Sequence, residues 1–479
     1  VVTFNGNFYD MPMMHAYLSG FNNRDLKVLS DDIIVNNVAP WKLSDRHPRL
    51  RRFPVDHIDL TGVTPLQASL KVYGCRIHSP KLQDLPIEPD AWIDDEMAKE
   101  LKHYCWNDVD VTIQLYRTLL PQVKLREEMA PIYSKDFRSL SDAQIAEAIL
   151  KVEMERNGLP VMKRPTCVDP FYYEAPPWMG FKTRTLQAVL DIAISVKFEV
   201  DDKGYVQLPD ELNKAILFGS SKYKLGVGGL HSQEKAQVIV PESNEVLVDF
   251  DVTSYYPSII LTQSLYPDHL GPDFNNIYQS VYDQRVWAKG TGDKTTNETL
   301  KIVLNASYGK FGSRYSPLYS PELLVQTTVT GQLALLMLIE RVELAGGKCV
   351  SANTDGVVLL YDKCNVDMIE SICDKWSKVT GYGLERTDYL AIYSASVNSY
   401  MAIKPDGSVK TKGQYEAGSI RKGYSNQVCL DAIAAYLSEG VRIEETVYAC
   451  DNVTDFLTMR QVKGGAVWRD QQLGKVVRW

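Results

Sequence analysis

The chain has 479 residues, of which 45% are hydrophobic and 23% are charged, and its formal net charge is −8. This length exceeds what a single hydrophobic core usually supports, and it indicates about three domains. The negative charge excludes a protein that coats nucleic acid through an evenly basic surface, although residues 458–479 carry five Lys and Arg residues against one Asp.

Cysteine spacing and the length of the apolar runs further restrict the classes of protein to which the chain can belong. The eight cysteines include no CxxC pair, which argues against a zinc site or a disulfide framework and predicts a reducing cytoplasm. The longest apolar run, residues 333–339, is far shorter than the ~18 residues that a membrane helix needs, so we expect no membrane partner. The chain opens directly on a β-like run, from which we expect further sequence upstream of Val1.

The first region combines a turn-like acidic segment with a later helix. Residues 5–10, Asn-Gly-Asn-Phe-Tyr-Asp, end in Asp10 just before a Met-Pro pair. Residues 94–119 have a helical pattern in which Tyr104 and Asp108 are four positions apart and therefore share a face. A phenol beside a carboxylate suits metal-assisted phosphodiester hydrolysis. An ordinary amphipathic helix explains the same spacing.

A strand that carries two carboxylates follows a helical stretch, residues 141–156, and a Pro-rich and aromatic segment, residues 170–180. Residues 246–252 read Val-Leu-Val-Asp-Phe-Asp-Val, and their alternation separates an apolar face from a face with Asp249 and Asp251. We expect the carboxylate face to be turned to solvent, as a platform for a cation. The alternative is an edge strand with solvated acids.

Two helical segments with cations at helical spacing come next. Arg285 and Lys289 share one face, and Lys301, Asn305 and Tyr308 share a face of residues 300–311. Residues 290–297 are expected to form the turn between these helices. Three cations and an amide on facing helices suit a triphosphate clamp; a pair of solvated helices is the alternative.

A β-hairpin is predicted at residues 348–362, where two β-like runs flank Asn-Thr-Asp-Gly, and Asp-Gly favours a tight turn. By itself this is a turn. If its Asp355 meets Asp251 at one end of a sheet, the two carboxylates can hold two Mg²⁺ ions for in-line displacement at a triphosphate.

Three motifs in this order resemble those of family B DNA polymerases. Residues 251–258, Asp-Val-Thr-Ser-Tyr-Tyr-Pro-Ser, resemble the DxxSLYPS motif, and residues 301–309, Lys-Ile-Val-Leu-Asn-Ala-Ser-Tyr-Gly, resemble KxxxNSxYG. Residues 353–356, Asn-Thr-Asp-Gly, are similar to DTDS. Residues 222–232 are similar to the YxGG element, and residues 397–400 with 410–413 to the KxY region. Residues 5–10 and 104–108 resemble two of the three motifs of the family's 3′–5′ exonuclease.

The resemblance implies an α+β multidomain fold. An α/β, RNase H-like exonuclease domain would be followed by a right-hand polymerase with an antiparallel-sheet palm, helical fingers and a small thumb. The implied ranges are exonuclease 1–125, linker 126–225, palm 226–275, fingers 276–319, palm 320–422 and an incomplete thumb 423–479.

The resemblance also implies roles for single residues. Asp251 and Asp355 would be catalytic and bind two Mg²⁺ ions (Mn²⁺ being an alternative), with help from the Val252 carbonyl. The other implied assignments are nucleotide binding by Tyr256, Arg285, Lys289, Lys301, Asn305 and Tyr308, exonuclease chemistry by Asp10, Tyr104 and Asp108, and DNA binding by Gly228, Gly229, Tyr400, Lys410 and Lys412. Primer-template DNA, dNTPs and replication accessory proteins would be the partners, in the cytoplasm of a bacterial or phage-infected cell.

The sequence departs from the family pattern in two places. Asn353 stands where the family has an aspartate, and Gly356 where it has a serine. The DxE exonuclease motif, expected upstream of the present start, is absent from the sequence. Short intervals between the motifs suit a phage-like enzyme that extends an ordinary primer. The alternatives are a polymerase-like DNA-binding replication factor with impaired catalysis, and a stand-alone nuclease, which would leave the clamp residues without a role.

Overall fold

The computed structural model describes residues 1–159 and 163–479, which form two compact units. Unit 1 comprises Val1–Asp142, Gly418–Gln427 and Asp451–Trp479, and unit 2 comprises Ala143–Ala417 and Val428–Cys450. This division differs from the six ranges predicted from the sequence. In particular, the predicted thumb range, residues 423–479, is shared between the two units, and its role as a thumb stays a prediction.

The regular elements are as follows. The α-helices are α1 (Asp10–Leu18), α2 (Asn23–Ile34), α3 (Leu43–Arg46), α4 (Leu70–Arg76), α5 (Asp95–Tyr133), α6 (Asp142–Arg156), α7 (Arg184–Ser195), α8 (Tyr255–Thr262), α9 (Asp273–Thr291), α10 (Lys294–Phe311), α11 (Pro321–Glu343), α12 (Val366–Thr380), α13 (Gln427–Glu439) and α14 (Ile443–Ala449). The strands are β1 (Val2–Thr3), β2 (Ile58–Asp59), β3 (Phe171–Tyr172), β4 (Lys197–Phe198), β5 (Ile216–Phe218), β6 (Ser221–Lys224), β7 (His231–Ser232), β8 (Gln237–Ile239), β9 (Glu245–Val252), β10 (Lys348–Asn353), β11 (Gly356–Asp362), β12 (Leu384–Tyr389), β13 (Ala391–Ser396), β14 (Ser399–Ile403), β15 (Val409–Lys412), β16 (Met459–Trp468) and β17 (Gln471–Arg478). Short 3₁₀ helices lie at Pro40–Lys42, Leu60–Gly62, Asp268–Leu270, Lys363–Asn365, Gly413–Tyr415 and Val453–Phe456.

Unit 1 is built around the long helix α5. Asp94 caps its first turn by accepting a hydrogen bond from the Met97 amide, which is why the helix begins where the sequence predicts. It continues past the predicted end at residue 119 to Tyr133, because buried Leu115, Leu119 and Val123 maintain an apolar stripe against β2. Helix α6, which belongs to unit 2 from Ala143 onward, matches the predicted stretch 141–156 to within one residue.

Two small sheets complete unit 1. Strands β1 and β2 pair in parallel, with Val2 opposite Ile58 and Thr3 opposite Asp59. The C-terminal strands β16 and β17 form an antiparallel hairpin whose Val476 packs with Val72 and Cys75 of α4. In the described residues these are the sheets of unit 1, so the RNase H-like layout stays a prediction.

The sequence predicted an antiparallel sheet for the palm, and unit 2 contains a seven-stranded antiparallel sheet; its role as a palm stays a prediction. The strand order is β12-β9-β11-β10-β7-β6-β5. Strand β9 lies between β11 and β12, so the edge-strand alternative is wrong. One face of the sheet packs on α11 and α12 in the main core, which includes Val248, Phe250, Leu333 and Trp376.

The other face of β9 is less open than the sequence predicted. A second sheet, β15-β14-β13-β8, contributes to a second core in which Leu247 meets Ile392, Tyr400 and Ala402. Asp249 is consequently buried, with 4% exposure. The expectation of a carboxylate face turned wholly to solvent is therefore wrong, because residues of a second sheet cover part of it.

Helices α9 and α10 form the predicted helix pair. Their turn is much shorter than the predicted residues 290–297: Gly292, with a φ of 77°, ends α9, and Asp293 caps α10 through the Thr296 amide. The Tyr278 hydroxyl donates to the Leu304 carbonyl at 3.1 Å and so ties the two helices together. The pair is therefore antiparallel.

Helix α11 is long and apolar enough to cross a membrane by length and composition alone, and 83% of its most apolar window is buried inside the protein. Its apolar residues are not consecutive, because polar residues such as Gln332 interrupt them, so the helix contains no apolar run of the length that a membrane helix needs. A buried core helix passes the same test.

Candidate active site

The two predicted metal-binding aspartates lie side by side at one end of the large sheet. Asp251 is near the end of β9, directly opposite Gly356, the residue that follows Asp355 at the hairpin tip. The Val252 amide donates to the Asp355 carbonyl at 2.7 Å, which fixes the tip to the strand. Burial, together with the neighbouring Asp249 and Asp355 carboxylates, raises the pKa of Asp251, against an opposing effect of Lys410.

Gly356 leaves the space that the Asp251 carboxylate fills. A Cβ atom at position 356 would lie only 2.3 Å from Asp251 Oδ1. The hairpin itself forms as predicted, with Asn353 paired to Gly356. A larger residue at position 356 would therefore displace the Asp251 carboxylate from its present position.

Asp249 was not among the predicted site residues, yet it belongs to the same cluster. Its Oδ2 accepts hydrogen bonds from the Tyr389 hydroxyl at 2.6 Å and from Lys410 Nζ at 2.9 Å. Lys410 Nζ also lies 3.5 Å from Asp251 Oδ2. Burial alone would lower the pKa of Lys410, but Asp249, Tyr400 and Asp251 raise it above its ordinary value. The period-two pattern of β9 was the one sequence signal for Asp249.

A cavity of about 420 Å³ opens over these side chains. Its lining includes the cluster together with residues from β10 and β15 and the segment after β15: Asp249, Asp251, Ser351, Asn353, Asp355, Gly356, Val358, Val397, Tyr400, Lys410, Thr411, Lys412 and Glu416. The predicted DNA-contact residues Tyr400 and Lys412 thus line the same cavity as the aspartates. Tyr400 is 8% exposed, so little of its ring is accessible there.

The donor set suits a hard divalent cation. Asp355 is exposed and forms no ion pair with any residue in ranges 1–159 and 163–479, and Asp251 is half-exposed beside it. Carboxylate oxygens with room for water or phosphate oxygens are what Mg²⁺ prefers. Across the described residues no group of three or more His, Cys, Asp or Glu side chains has metal-binding geometry.

An aromatic pair lies on helices α8 and α10. The rings of Tyr256 and Tyr308 are stacked, with centroids 4.0 Å apart and planes 12° apart. The Tyr256 hydroxyl donates to the Gly228 carbonyl at 2.5 Å, and the Tyr308 hydroxyl lies 2.8 Å from Thr328 Oγ1. Burial raises the pKa of Tyr308 to about 12. Both phenols are neutral and held in fixed positions.

The loop before β7 contacts this site in a way that the sequence did not reveal. Gly228 supplies the carbonyl that anchors Tyr256. Gly229 has a φ of 148°, and a Cβ there would lie 2.8 Å from the Thr354 methyl group at the hairpin tip. The two glycines, predicted to bind DNA, therefore also connect the tyrosine and the hairpin.

The predicted triphosphate residues divide between α9 and α10. Arg285 Nη1 donates to Ser254 Oγ at 3.1 Å. Ser254 is the residue immediately before α8 and has a φ of 48°. Lys289, Lys301 and Asn305 are exposed, and no ion pair involves either lysine within the described part of the chain. Because the helices are antiparallel and Tyr278 meets Leu304, Arg285, seven residues later, lies level with about residue 297 (304 − 7), one turn before Lys301.

The Asn353 side chain forms hydrogen bonds with Thr354 in the hairpin and with Asn398 beside it. Its Oδ1 accepts from the Thr354 amide at 2.9 Å, and its Nδ2 donates to Asn398 Oδ1 at 3.4 Å. A carboxylate at this position could not donate to Asn398. The side chain therefore shapes the tip and adds no negative charge to the cluster.

The predicted exonuclease residues fall into two separate groups in unit 1. Burial raises the pKa of Asp10, whose charged neighbours are Asp59 and His57. Asp59, buried and missed by the sequence analysis, accepts hydrogen bonds from the Asn5 and Asn7 amides. Burial, together with the neighbouring Asp108 carboxylate, raises the pKa of Tyr104 on α5, where Asp84 is also nearby.

Comparison with known proteins gives two partial sequence matches. The chain is 28% identical over 117 residues to DNA polymerase 1 of Saccharolobus solfataricus and 26% identical over 116 residues to DNA polymerase 1 of Sulfolobus acidocaldarius. Each match covers 24% of this chain and only 13% of the relative. The matches support a distant relationship to DNA polymerases. No protein-family model matches the chain.

Among solved structures, the family B DNA polymerase from the hyperthermophilic archaeon Pyrobaculum calidifontis aligns with the whole of this chain and with 64% of its own length. The sequence identity is 15% and the TM-score is 0.43.

Proposed function

We propose that this protein is a template-directed DNA polymerase that adds dNTPs to the 3′ end of a primer. The observation that carries the proposal is the arrangement in unit 2, where two adjacent carboxylates face a cavity and Tyr256, stacked on Tyr308, lies in the first turn of the helix that follows β9. The partial similarity to archaeal DNA polymerases supports the same conclusion.

Asp251 and Asp355 would hold the metal ions of the reaction. When bound, two Mg²⁺ ions supply activation of the primer hydroxyl and neutralise charge on the triphosphate. The chain contributes by holding both carboxylates in place: the backbone bond from Val252 to Asp355 fixes one, and the space at Gly356 receives the other. Such pre-organisation lowers the barrier without reorganisation during the reaction.

Tyr256 would select the sugar. Its ring is held from both ends, by the stack on Tyr308 and by the bond to the Gly228 carbonyl. A rigid ring under the sugar of the incoming nucleotide excludes a 2′ hydroxyl by steric contact. Tyr308 would pack beside the nascent base pair.

The cations of α9 and α10 would bind the triphosphate. Lys289, Lys301 and Asn305 are exposed and the two lysines carry no ion pair in the described chain, so their donors are available to phosphate oxygens. Arg285 is tied to Ser254 at the start of α8. This bond would connect a nucleotide bound at the two helices to the segment that directly follows the strand of Asp251.

Primer extension tests this proposal. A 5′-labelled primer on a longer template should be extended to the template end in Mg²⁺ with four dNTPs. If one dNTP is omitted, synthesis should stop before the first template base that pairs with the omitted nucleotide. A polymerase-like DNA-binding factor would bind the same duplex without extending it. Tight duplex binding without any extension would therefore contradict the proposal and support that alternative.

We further propose a 3′–5′ exonuclease in unit 1, supported by the placement of Tyr104 and Asp108 one turn apart on α5, where the carboxylate and burial raise the pKa of the phenol. The phenol would orient the attacking water, and Asp10 would act from the turn after β1. Degradation of single-stranded DNA from its 3′ end in Mg²⁺ tests this activity. A protein that extends primers but never shortens them would contradict it.

A further inference from the structure

Two acidic side chains of β9 face the same cavity but have different surroundings. Asp249 and Asp251 are two positions apart on a strand and so project from one face. The Asp251 side chain is 48% exposed, whereas the Asp249 side chain is 5% exposed. Both carboxylates line the cavity, but of the two only Asp251 is substantially accessible to a cation there.

Lys410 produces this difference. Its ammonium lies 2.9 Å from Asp249 Oδ2, and the Tyr389 hydroxyl donates to the same oxygen at 2.6 Å. The ammonium also lies 3.5 Å from Asp251 Oδ2. Lys410 stands on β15 of the four-stranded sheet, so this contact joins that sheet to the seven-stranded sheet of unit 2.

We propose that Lys410 is a positioning residue that keeps Asp249 in an internal ion pair and thereby reserves Asp251 and Asp355 for the metal ions. The proposal rests on the proposed polymerase function and gives Lys410 a role other than the DNA contact expected from the sequence. Without the ammonium, Asp249 keeps its hydrogen bond from Tyr389 but becomes a third carboxylate without an ion pair, two residues from Asp251. A bound cation would then gain attraction but lose its place between Asp251 and Asp355.

The proposal predicts opposite changes in metal affinity for the two members of the ion pair. Lys410→Met removes a positive charge and should tighten Mn²⁺ binding roughly tenfold. Asp249→Asn leaves the ammonium free to approach Asp251 and should weaken Mn²⁺ binding roughly tenfold. The double variant removes both charges together, leaves no buried charge unpaired, and should bind Mn²⁺ within about threefold of the unmodified protein.

The measurement is titration of the full chain with Mn²⁺ alone, without DNA, with free Mn²⁺ followed by electron paramagnetic resonance. Single-turnover primer extension in Mg²⁺ is measured on the same samples. Lys410→Met should slow extension roughly 10²-fold despite its tighter ion binding, because the ions are displaced. Lys378→Met, an exposed lysine on α12, removes the same charge elsewhere and should change neither quantity.

The outcomes separate this inference from the function on which it rests. If the unmodified protein does not extend primers, the polymerase proposal fails, whatever the titrations show. If it extends primers but Lys410→Met and Asp249→Asn shift Mn²⁺ affinity in the same direction, or not at all, the role of Lys410 is overturned. Should Lys410→Met fail to fold, Asp249→Asn and the double variant decide: equal Mn²⁺ affinities in these two overturn it as well.

Discussion

Substitution of Gly356 by alanine tests whether the Asp251 carboxylate must occupy the space that the glycine leaves. The added Cβ would lie 2.3 Å from Asp251 Oδ1, whereas an ordinary contact begins at 3.4 Å, so the oxygen must move by about 1.1 Å (3.4 − 2.3). A misplacement of about 1 Å typically costs ~10²-fold in rate, or about 2.7 kcal/mol of activation free energy.

Stability should change much less than the rate. The atom displaced is the end of a flexible, half-exposed side chain, so the free energy of unfolding should stay within about 1 kcal/mol of its original value. Single-turnover primer extension in saturating Mg²⁺ and dNTP measures the rate, and thermal unfolding measures the stability.

Gly180→Ala is the matched control for this substitution. A Cβ at Gly180 meets no atom within 4 Å, and we expect the rate and the midpoint of unfolding to be unchanged. A Gly356→Ala protein that folds normally and extends primers at the original rate would refute the reasoning, because Asp251 could then act from a displaced position.

Three further substitutions test the rest of the site. Tyr256→Ala should raise ribonucleotide incorporation, whereas Tyr256→Phe, which loses only the bond to Gly228, should retain sugar selection; equal selectivity of the two variants would remove the steric role. Lys301→Met should raise the KM for dNTP roughly tenfold, the value of one charge-assisted hydrogen bond, without weakening primer-template binding. Lys294→Met on the same helix should leave the KM unchanged, and an unchanged KM for Lys301→Met would contradict the clamp. Tyr104→Phe should lower exonuclease turnover by ~10²-fold and leave extension intact, and an unaffected exonuclease would separate the phenol from the chemistry.

Local pattern was sufficient to predict much of unit 2. Period-two alternation identified β9, the Asp-Gly turn identified the β10–β11 hairpin, and helical spacing identified the cation-bearing faces of α9 and α10. These features depend on residues close in sequence. The meeting of Asp251 and Asp355 at one end of a sheet was stated from the sequence only as a condition; the strand register, with Asp251 opposite Gly356, meets that condition.

What the sequence did not predict depends on distant contacts. The partner of Asp249 is Lys410, 161 residues away, and no periodicity connects the two. The same holds for the Tyr256 bond to Gly228 and for Gly229 against Thr354. The packing of the C-terminal hairpin, β16 with β17, in unit 1 was not predicted. Val476 of this hairpin packs against Val72 and Cys75 of α4, and these residues lie far apart in the sequence.

The central claim is that Asp355 and Asp251 form the catalytic metal site, and Asp355→Ala tests it most directly. Asp355 is exposed, so its loss should leave folding and duplex binding nearly intact. Asp374→Ala, on exposed surface of α12, serves as the control for charge loss. In single-turnover primer extension with Mg²⁺ and four dNTPs, we predict that Asp355→Ala abolishes synthesis while Asp374→Ala proceeds at the original rate. Extension by Asp355→Ala at a rate near that of the unmodified protein would contradict the assignment of the site.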